Sequence, residues 1–172
     1  MIIALTGTPG TGKTTISKSL SRKLDFHCSH LADFVTSDIC DDYDDARGCG
    51  EVNLDKLREA VKYRLKDNTI IEGHLSHRLG VSDIVIVLRT RPSILRHRLK
   101  KRMYGEDKVR ENIEAEALDI CLVESVDEGA EVYEVDTSVK SPQEVGEDIV
   151  RILKGKGDEF RPGKIDWSEK YF

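Results

Sequence analysis

The residues best suited to chemistry lie near the N-terminus, where residues 7–14 read GTPGTGKT and match the pattern G-x-x-x-x-G-K-T. Glycines in such a loop let several backbone N–H groups converge on a polyphosphate, and a helix that starts there adds free donors and the positive end of its dipole. Lys13 is then expected to reach the β- and γ-phosphates of a nucleoside triphosphate, and Thr14 to place its hydroxyl on Mg²⁺.

The segments on either side of this loop have the patterns that the motif requires. Residues 1–6 form an apolar run short enough for a buried strand, and Ile16, Leu20 and Leu24 recur every four residues, as on one face of a helix. A strand, a phosphate loop and a helix therefore follow one another, which disfavours a glycine-rich turn before an ordinary helix. The sequence predicts nucleotide binding and leaves open which molecule receives the phosphate.

Composition limits the remaining possibilities. The 172 residues are enough for one domain with a buried core, and the net charge of −5 disfavours a general nucleic-acid binder. No apolar run approaches the roughly 20 residues of a membrane span, and no basic leader precedes the apolar start. We therefore expect a cytoplasmic protein with no membrane partner.

The four cysteines form no C-x-x-C pair. In a chain without a secretion signal, this favours reduced thiols over a zinc site or a disulfide. Cys40 and Cys49 flank an acidic stretch, and whether they approach each other is open at the level of sequence.

Two later apolar runs indicate the fold class. Residues 69–72 and 84–88 are short and rich in β-branched side chains, and helical patterns separate them. This alternation predicts an α/β fold in three layers with a central parallel sheet. Ligands of such sheets bind beyond the carboxyl ends of the strands, so Glu72, His74 and Arg89 are expected on the same rim as the phosphate loop.

The strand-end residues suggest roles in phosphoryl transfer, a reaction that needs aligned phosphates, a metal ion and positive charge around the moving group. Glu72 is the candidate acid that holds the Mg²⁺ shell, the alternative being a surface charge. His74 is expected to order an attacking water or to contact the acceptor. The alternative for His74 is a histidine that only bonds within its turn.

Arginine and lysine are frequent between residues 89 and 110, around a short glycine-containing break. Arginine suits phosphates because its planar fork binds two oxygens at once, although a solvated helix face explains most of these residues. Arg102 is the first candidate because it lies where the helix meets the break and could swing over the nucleotide, and Arg89 is the second. The break is too short for a large lid and has no cysteine to bind zinc.

Four further segments carry predictions of their own. Residues 28–51 include an acidic run and are either a solvated loop or a mobile flap for a second nucleotide. Residues 31–38 favour a short helix, and a single long helix is expected through Ile113, Ala117 and Ile120. Residues 154–172 form a polar tail whose aromatic side chains suggest that it docks on another surface.

Several segments together resemble one known family. They are GTPGTGKTT at 7–15, IIEGH at 70–74, VLRT at 87–90, RMYG at 102–105 and ENIEAE at 111–116. The chain is similar over residues 1–153 to the small adenylate kinases whose eukaryotic members are nuclear and assist ribosome assembly, and most of all to their archaeal members. The resemblance implies a P-loop NTPase fold of the nucleoside monophosphate kinase type.

The resemblance also implies an activity and partners. Such proteins are Mg²⁺-dependent adenylate kinases of broad nucleotide specificity that convert ATP and AMP to two ADP, and they have ATPase activity. They bind a small-subunit ribosomal protein of the uS-eleven family and act on the pre-ribosomal small subunit, in 16S rRNA processing. The alternatives are an assembly switch in which kinase activity is incidental, and a small-metabolite kinase.

The resemblance also assigns residues by position, and the residues that would hold ATP and Mg²⁺ are Gly10, Gly12, Lys13, Thr14 and Thr15. Residues 28–51 would be the monophosphate-binding flap and residues 101–111 the lid, with Arg102 as the lid's ATP contact. Residues 72–74 would correspond to a family Asp-x-His motif. Because the acid here is Glu72, we expect slightly different metal geometry. Lys13, Glu72, His74 and Arg102 are thus the predicted catalytic residues, and Thr14 and Glu72 the predicted metal-side residues.

Overall fold

A computed structural model describes residues 1–36, 38–44 and 49–168. Within these residues the chain forms seven strands, which are β1 (Ile2–Thr6), β2 (His27–His30), β3 (Cys40–Asp44), β4 (Cys49–Val52), β5 (Thr69–Glu72), β6 (Ile84–Arg89) and β7 (Glu131–Asp136). The α-helices of the same residues are α1 (Lys13–Leu24), α2 (Leu54–Arg64), α3 (Pro92–Lys101), α4 (Glu106–Ala117), α5 (Ile120–Asp127) and α6 (Pro142–Leu153). Short 3-10 turns occupy Leu31–Phe34, Ser76–Leu79 and Asp158–Phe160.

Five strands form one sheet in the order β2-β5-β1-β6-β7, and every neighbouring pair is parallel. The order places β1, which leads into the phosphate loop, in the middle of the sheet. Its neighbours β5 and β6 end in Glu72 and Arg89, so these residues reach the same rim, as the sequence predicts. The α/β fold with a central parallel sheet is confirmed.

Helices cover both faces of the sheet because each presents an apolar stripe. On one face α1 and α6 pack over the central strands through Ile16, Leu20, Val145, Ile149 and Ile152. On the other face α2 packs against Ile71 of β5, and α5 packs against Val85 and Val87 of β6. The result is the three-layer arrangement.

Two helices begin at side-chain caps. Ser141 and Glu144 form the capping box of α6, in which each side chain bonds the other's backbone N–H. At the start of α2 the Asn53 side chain accepts a hydrogen bond from the backbone N–H of Lys56 at 3.1 Å. These caps fix where two of the layer helices begin.

The predicted long helix through Ile113 and Ile120 is wrong, because the chain breaks between α4 and α5. Asp119 adopts a left-handed conformation with φ of 57°, and its carboxylate pairs with buried Arg89. That ion pair holds the chain in a turn that the apolar spacing alone did not indicate.

Residues 28–51 contain more ordered structure than a solvated loop. The predicted helix over 31–38 is one 3-10 turn (Leu31–Phe34), and β3 and β4 follow as an antiparallel pair. The pairing places Cys40 opposite Val52 and Cys49 opposite Asp44, so the two cysteines lie at opposite ends of the hairpin. Residues 37 and 45–48 of this segment lie outside the described residues.

Candidate active site

The phosphate loop connects β1 to α1 in a conformation that depends on its glycines. Gly7, Gly10 and Gly12 have φ of 132°, 97° and 101°, a region that side chains with a Cβ rarely adopt. A Cβ on Gly7 would also lie 2.4 Å from the carbonyl oxygen of Leu88, and one on Gly10 would lie 2.8 Å from Cδ1 of Leu95. The loop is therefore pressed against β6 and α3, and its backbone N–H groups are held in place.

Lys13 begins α1 and lies across the mouth of the loop. Its Nζ donates to the carbonyl oxygens of Gly7 at 2.7 Å and Thr8 at 3.1 Å. Burial lowers the pKa of Lys13 from 10.5 to about 8, and the negative charge of Glu72 is among the groups that oppose this shift. The ammonium group is thus poorly solvated, and incoming phosphate oxygens would stabilise it.

This lowered pKa predicts that nucleotide binding takes up protons. Bound phosphates raise the pKa of Lys13, so at pH 8, where about half of it is neutral in the free protein, binding should take up roughly half a proton. Calorimetric titration in buffers of different ionisation enthalpy measures this uptake. The Lys13→Arg variant, whose guanidinium stays charged, should show none from this position, and equal uptake in both proteins would contradict the assignment.

Glu72 lies at the carboxyl end of β5 and is 7 % exposed. Its Oε1 accepts a hydrogen bond from Thr14 Oγ1 at 3.1 Å and lies 2.5 Å from His30 Nδ1. A carboxylate beside a hydroxyl at the loop is the oxygen donor set that Mg²⁺ prefers when phosphates supply further ligands, so these residues fit the ion. Sequence reasoning missed His30, although the β2–β5 register pairs it directly with Glu72.

His74 lies two residues beyond Glu72 on the same rim. Its backbone oxygen accepts a hydrogen bond from Thr6 Oγ1 at 3.4 Å, and its side chain lines a cavity that also contains Lys13. Partial desolvation, helped by the positive charge of Lys13, lowers the pKa of His74. The imidazole is therefore neutral at pH 7, a state in which one ring nitrogen can accept a hydrogen bond.

Arg89 does not reach the site as a phosphate ligand. Its side chain is 2 % exposed and donates to Glu116 at 3.0 Å and to Glu134 at 3.0 Å, and it also pairs with Asp119. Three carboxylates from α4, β7 and the α4–α5 turn thus occupy the guanidinium. The hypothesis that Arg89 contacts a nucleotide is replaced by a buried ion-pair role.

Two cavities open on opposite sides of the phosphate loop. The first, of about 480 Å³, lies between the start of α1, the end of α3 and the segment after β7, and its lining includes Gly12, Thr15 and Thr137. The second, of about 640 Å³, lies between the end of β5 and the residues Leu31, Val35 and Val52. Gly10 and Arg102 line both cavities, so the lid arginine predicted from the sequence stands between them.

The second cavity combines an apolar wall with a polar end. The apolar wall is formed by Leu31, Ala32, Val35, Val52, Leu57 and Leu75. The polar end is formed by Lys13, Thr14, Glu72, His74 and Arg102. Such a slot suits a ligand with a flat apolar part and an anionic part.

Arg98 holds one wall of the first cavity by hydrogen bonds, although the sequence analysis attributed most arginines of this region to a solvated helix face. Arg98 of α3 donates to the carbonyl oxygen of Thr137 at 2.6 Å, and Thr137 Oγ1 lies 3.0 Å from the carbonyl oxygen of Thr11. The segment after β7 is thereby tied to the phosphate loop.

Comparison with known proteins identifies the family. Residues 3–119 match the family described as an AAA domain. The chain is 46 % identical to a protein of Pyrococcus abyssi, and the match covers 99 % of this chain and 93 % of the relative. It is 45 % identical to a protein of Thermococcus kodakarensis, and that match covers 99 % of this chain and 95 % of the relative. Both relatives carry the name "Putative adenylate kinase". The chain belongs to this archaeal adenylate kinase family.

Solved structures agree with the fold of the adenylate kinase family. The YorR protein of Bacillus subtilis, in complex with phosphorylated GDP, has a TM-score of 0.63 at 20 % identity and covers 90 % of this chain and 96 % of its own. Shikimate kinase of Acinetobacter baumannii also has a TM-score of 0.63, at 15 % identity, over 90 % of this chain and 93 % of its own. Within the described residues, no helix has the length and apolar character needed to cross a membrane.

Proposed function

We propose that the protein transfers the γ-phosphate of ATP to AMP, reversibly and with Mg²⁺. The observation that carries the proposal is the pair of cavities on opposite sides of the phosphate loop, with Gly10 and Arg102 lining both. A phosphoryl donor and an acceptor bound in these cavities would meet at the loop. Names of the archaeal relatives support adenosine nucleotides as the two ligands.

In this proposal the ATP phosphates lie in the phosphate loop and the adenosine of ATP lies in the first cavity. AMP lies in the second cavity, with its base against the apolar wall and its phosphate at the polar end. Residues 28–51 act as the monophosphate flap and residues 101–111 as the lid. Residues 1–153 form the kinase domain.

The protein's own residues then supply positioning and charge, which is most of what phosphoryl transfer requires. Lys13 and Arg102 bind oxygens of the transferring group from two sides, and neutral His74 accepts a hydrogen bond from the acceptor or from a water. Thr14 and Glu72 hold Mg²⁺, which when bound neutralises the charge of the phosphates.

Incubation of the purified protein with ATP, AMP and Mg²⁺ tests the proposal. We expect two ADP for each AMP consumed, at a rate well above the ADP formed in an AMP-free control. Phosphate released in that control measures the proposed ATPase activity separately. No ADP beyond the control would contradict transfer to AMP, and consumption of shikimate or dephospho-coenzyme A in place of AMP would favour a small-metabolite kinase.

A second candidate function is a nucleotide-gated role in maturation of the small ribosomal subunit, with a uS-eleven protein as partner. The resemblance described above supports it, and so does an apolar surface on and beside α5. There Leu118, Ile120, Val123 and Val126 are between 41 % and 53 % exposed, as in many protein-binding surfaces. Pull-down with small-subunit proteins should recover the partner unequally in ATP and ADP, and equal recovery or none would count against this role.

A further inference from the structure

The C-terminal segment, defined here as residues 157–168, packs along β7 instead of leaving the domain. Phe160 and Trp167 are each 7 % exposed, and a Cβ on Gly157 would lie 2.5 Å from the ring of Tyr133. The backbone N–H groups of Lys164 and Ile165 both donate to Oε1 of Glu134, at 2.6 and 3.1 Å. The segment thus satisfies one oxygen of a carboxylate on β7.

Glu134 connects this segment to the centre of the molecule. Its side chain is fully buried, and its second oxygen, Oε2, accepts a hydrogen bond from Arg89 Nη1 at 3.0 Å. Arg89 in turn donates through Nε to Oε1 of Glu116 at 3.0 Å. Hydrogen bonds therefore join the buried carboxylate of Glu134 to the guanidinium of Arg89, and this guanidinium to the second buried carboxylate, that of Glu116.

Glu116 carries the chain of contacts to the phosphate loop. Its side chain is 2 % exposed, and its Oε2 accepts a hydrogen bond from Thr8 Oγ1 at 2.5 Å. Thr8 is a loop residue whose carbonyl oxygen accepts from Lys13 Nζ at 3.1 Å and from Thr11 Oγ1 at 2.9 Å. The contacts run without interruption from the C-terminal segment to the lysine of the loop.

The charges in this series of contacts, from Glu134 through Arg89 to Glu116, make each contact depend on the next. Arg89 faces three carboxylates, of which Glu116 and Glu134 are buried and Asp119 is 28 % exposed. One guanidinium is shared among these carboxylates, and further donors stabilise the two buried ones. Glu116 accepts hydrogen bonds from Thr8 Oγ1 and from the backbone N–H of Thr90, and Glu134 accepts them from two N–H groups of the C-terminal segment. Losing one partner of a buried ion pair leaves an uncompensated charge and strongly favours rearrangement.

We propose that the C-terminal segment positions the phosphate loop through the contacts of Glu134, Arg89 and Glu116, which end on Thr8. Glu116 and Glu134 are positioning residues in this scheme, because neither lines a nucleotide cavity. Coupling between the segment and the loop is a property of the nucleotide-free protein. Only its kinetic consequence rests on the proposed function.

Hydrogen exchange measured by NMR on the nucleotide-free protein tests the coupling. Glu134→Gln keeps the shape and the acceptor oxygen but removes the charge that pairs with Arg89. The amide of Thr11, which donates to the Thr8 carbonyl oxygen at 3.3 Å, should exchange roughly 3- to 10-fold faster, while amides of α6 stay unchanged. Unchanged exchange at Thr11 would overturn the proposal.

Glu131→Gln is the matched control. Glu131 lies on the same strand and also contacts the C-terminal segment, through Arg161 at 3.0 Å, but it is exposed and is not hydrogen-bonded to Arg89. This variant should leave exchange at Thr11 unchanged. Equal acceleration in both variants would mean that the segment only stabilises the fold as a whole, and the proposal would fail.

A second, independent test changes the phosphate loop and measures exchange in the C-terminal segment. It remains available if Glu134→Gln does not fold. Coupling is reciprocal, so Thr8→Val, which removes only the hydroxyl that donates to Glu116, should accelerate exchange of the Lys164 and Ile165 amides by a similar factor. Exchange at these two amides that matches the wild type would contradict the proposal.

Kinetics separate this inference from the proposed function. Glu134→Gln should raise the KM for ATP several-fold, whereas the control Glu131→Gln should leave it at the wild-type value. A general loss of stability would lower kcat through the fraction of folded protein and would not raise the KM. If neither protein forms ADP, the proposed function fails while the exchange experiments still decide the coupling.

Discussion

Replacing Lys13 by alanine should lower the rate of ADP formation by at least about 100-fold, because a charge aimed at the transferring group typically contributes that much or more. The Nζ already lies at the mouth of the loop, bonded to the carbonyl oxygens of Gly7 and Thr8. The next lysine of α1, Lys18, lies more than one helical turn beyond Lys13, so its ammonium group is poorly placed to take this role. Steady-state kinetics with ATP and AMP measure the loss.

Thermal unfolding checks that the loss of activity comes from the missing ammonium group and not from a loss of folded protein. The pKa of Lys13 is about 8 in the folded protein and 10.5 in the unfolded chain, so the unfolded chain binds more protons between these values and the free energy of unfolding rises with pH across that window. At pH 7 the full penalty of burying the charge is present. Lys13→Ala should therefore not be strongly destabilised in thermal unfolding.

Lys23→Ala is the matched control for Lys13→Ala. Lys23 lies in the last turn of the same helix and is exposed, so its removal should leave kcat within about twofold of the wild type. A Lys13→Ala variant that retains more than a tenth of wild-type activity would contradict the role assigned to this lysine.

Glu72→Gln should raise the Mg²⁺ concentration needed for half-maximal activity by about 10- to 100-fold, the range typical of groups that orient a metal site. The amide keeps the size of the side chain and can still bond Thr14 and His30. Only the negative charge that favours Mg²⁺ is lost. Activity measured over a range of Mg²⁺ at fixed ATP reports the shift.

Two comparison variants sharpen the test of Glu72. Glu72→Asp introduces the acid that the resemblance implies at this position and should retain more activity than Glu72→Gln, with its own Mg²⁺ dependence. Glu59→Gln changes a carboxylate that is 74 % exposed on α2 and should behave as wild type. An unchanged Mg²⁺ dependence in Glu72→Gln would show that the carboxylate is not on the metal side.

Local pattern was sufficient to predict the phosphate loop and the rim of the sheet. The loop motif and the strand ends at Glu72 and Arg89 depend on short stretches of sequence, and parallel pairing places them side by side. The capping box of α6 was predictable for the same reason. These features need no knowledge of distant contacts.

Contacts between distant residues were not predictable. His30 reaches Glu72 only because β2 pairs with β5, and Glu116 reaches Thr8 across 108 positions of the chain. Arg89 was predicted to bind phosphate because its position on the rim is right. Carboxylates from α4 and β7 instead surround it, and the same ion-pair cluster turns the chain at Asp119 and divides the expected long helix.

The hairpin of β3 and β4 and the C-terminal segment show the same limit. The acidic composition of residues 41–45 gave no sign that β3 and β4 pair as a hairpin, because such a sequence lacks the apolar alternation of a half-buried strand. The aromatic residues of the C-terminal segment suggested docking, but its contact with Glu134 is made by backbone N–H groups. No side-chain pattern encodes such a contact.

A crystal structure with an analogue that joins two adenosines through five phosphates tests the two-nucleotide site most directly. We expect one adenosine in the cavity beside Thr137, the other in the cavity lined by Val35 and Val52, and the phosphates along the loop between Lys13 and Arg102. A structure in which only one adenosine of the analogue is enclosed, and the other lies outside the cavity lined by Val35 and Val52, would contradict the two-nucleotide site.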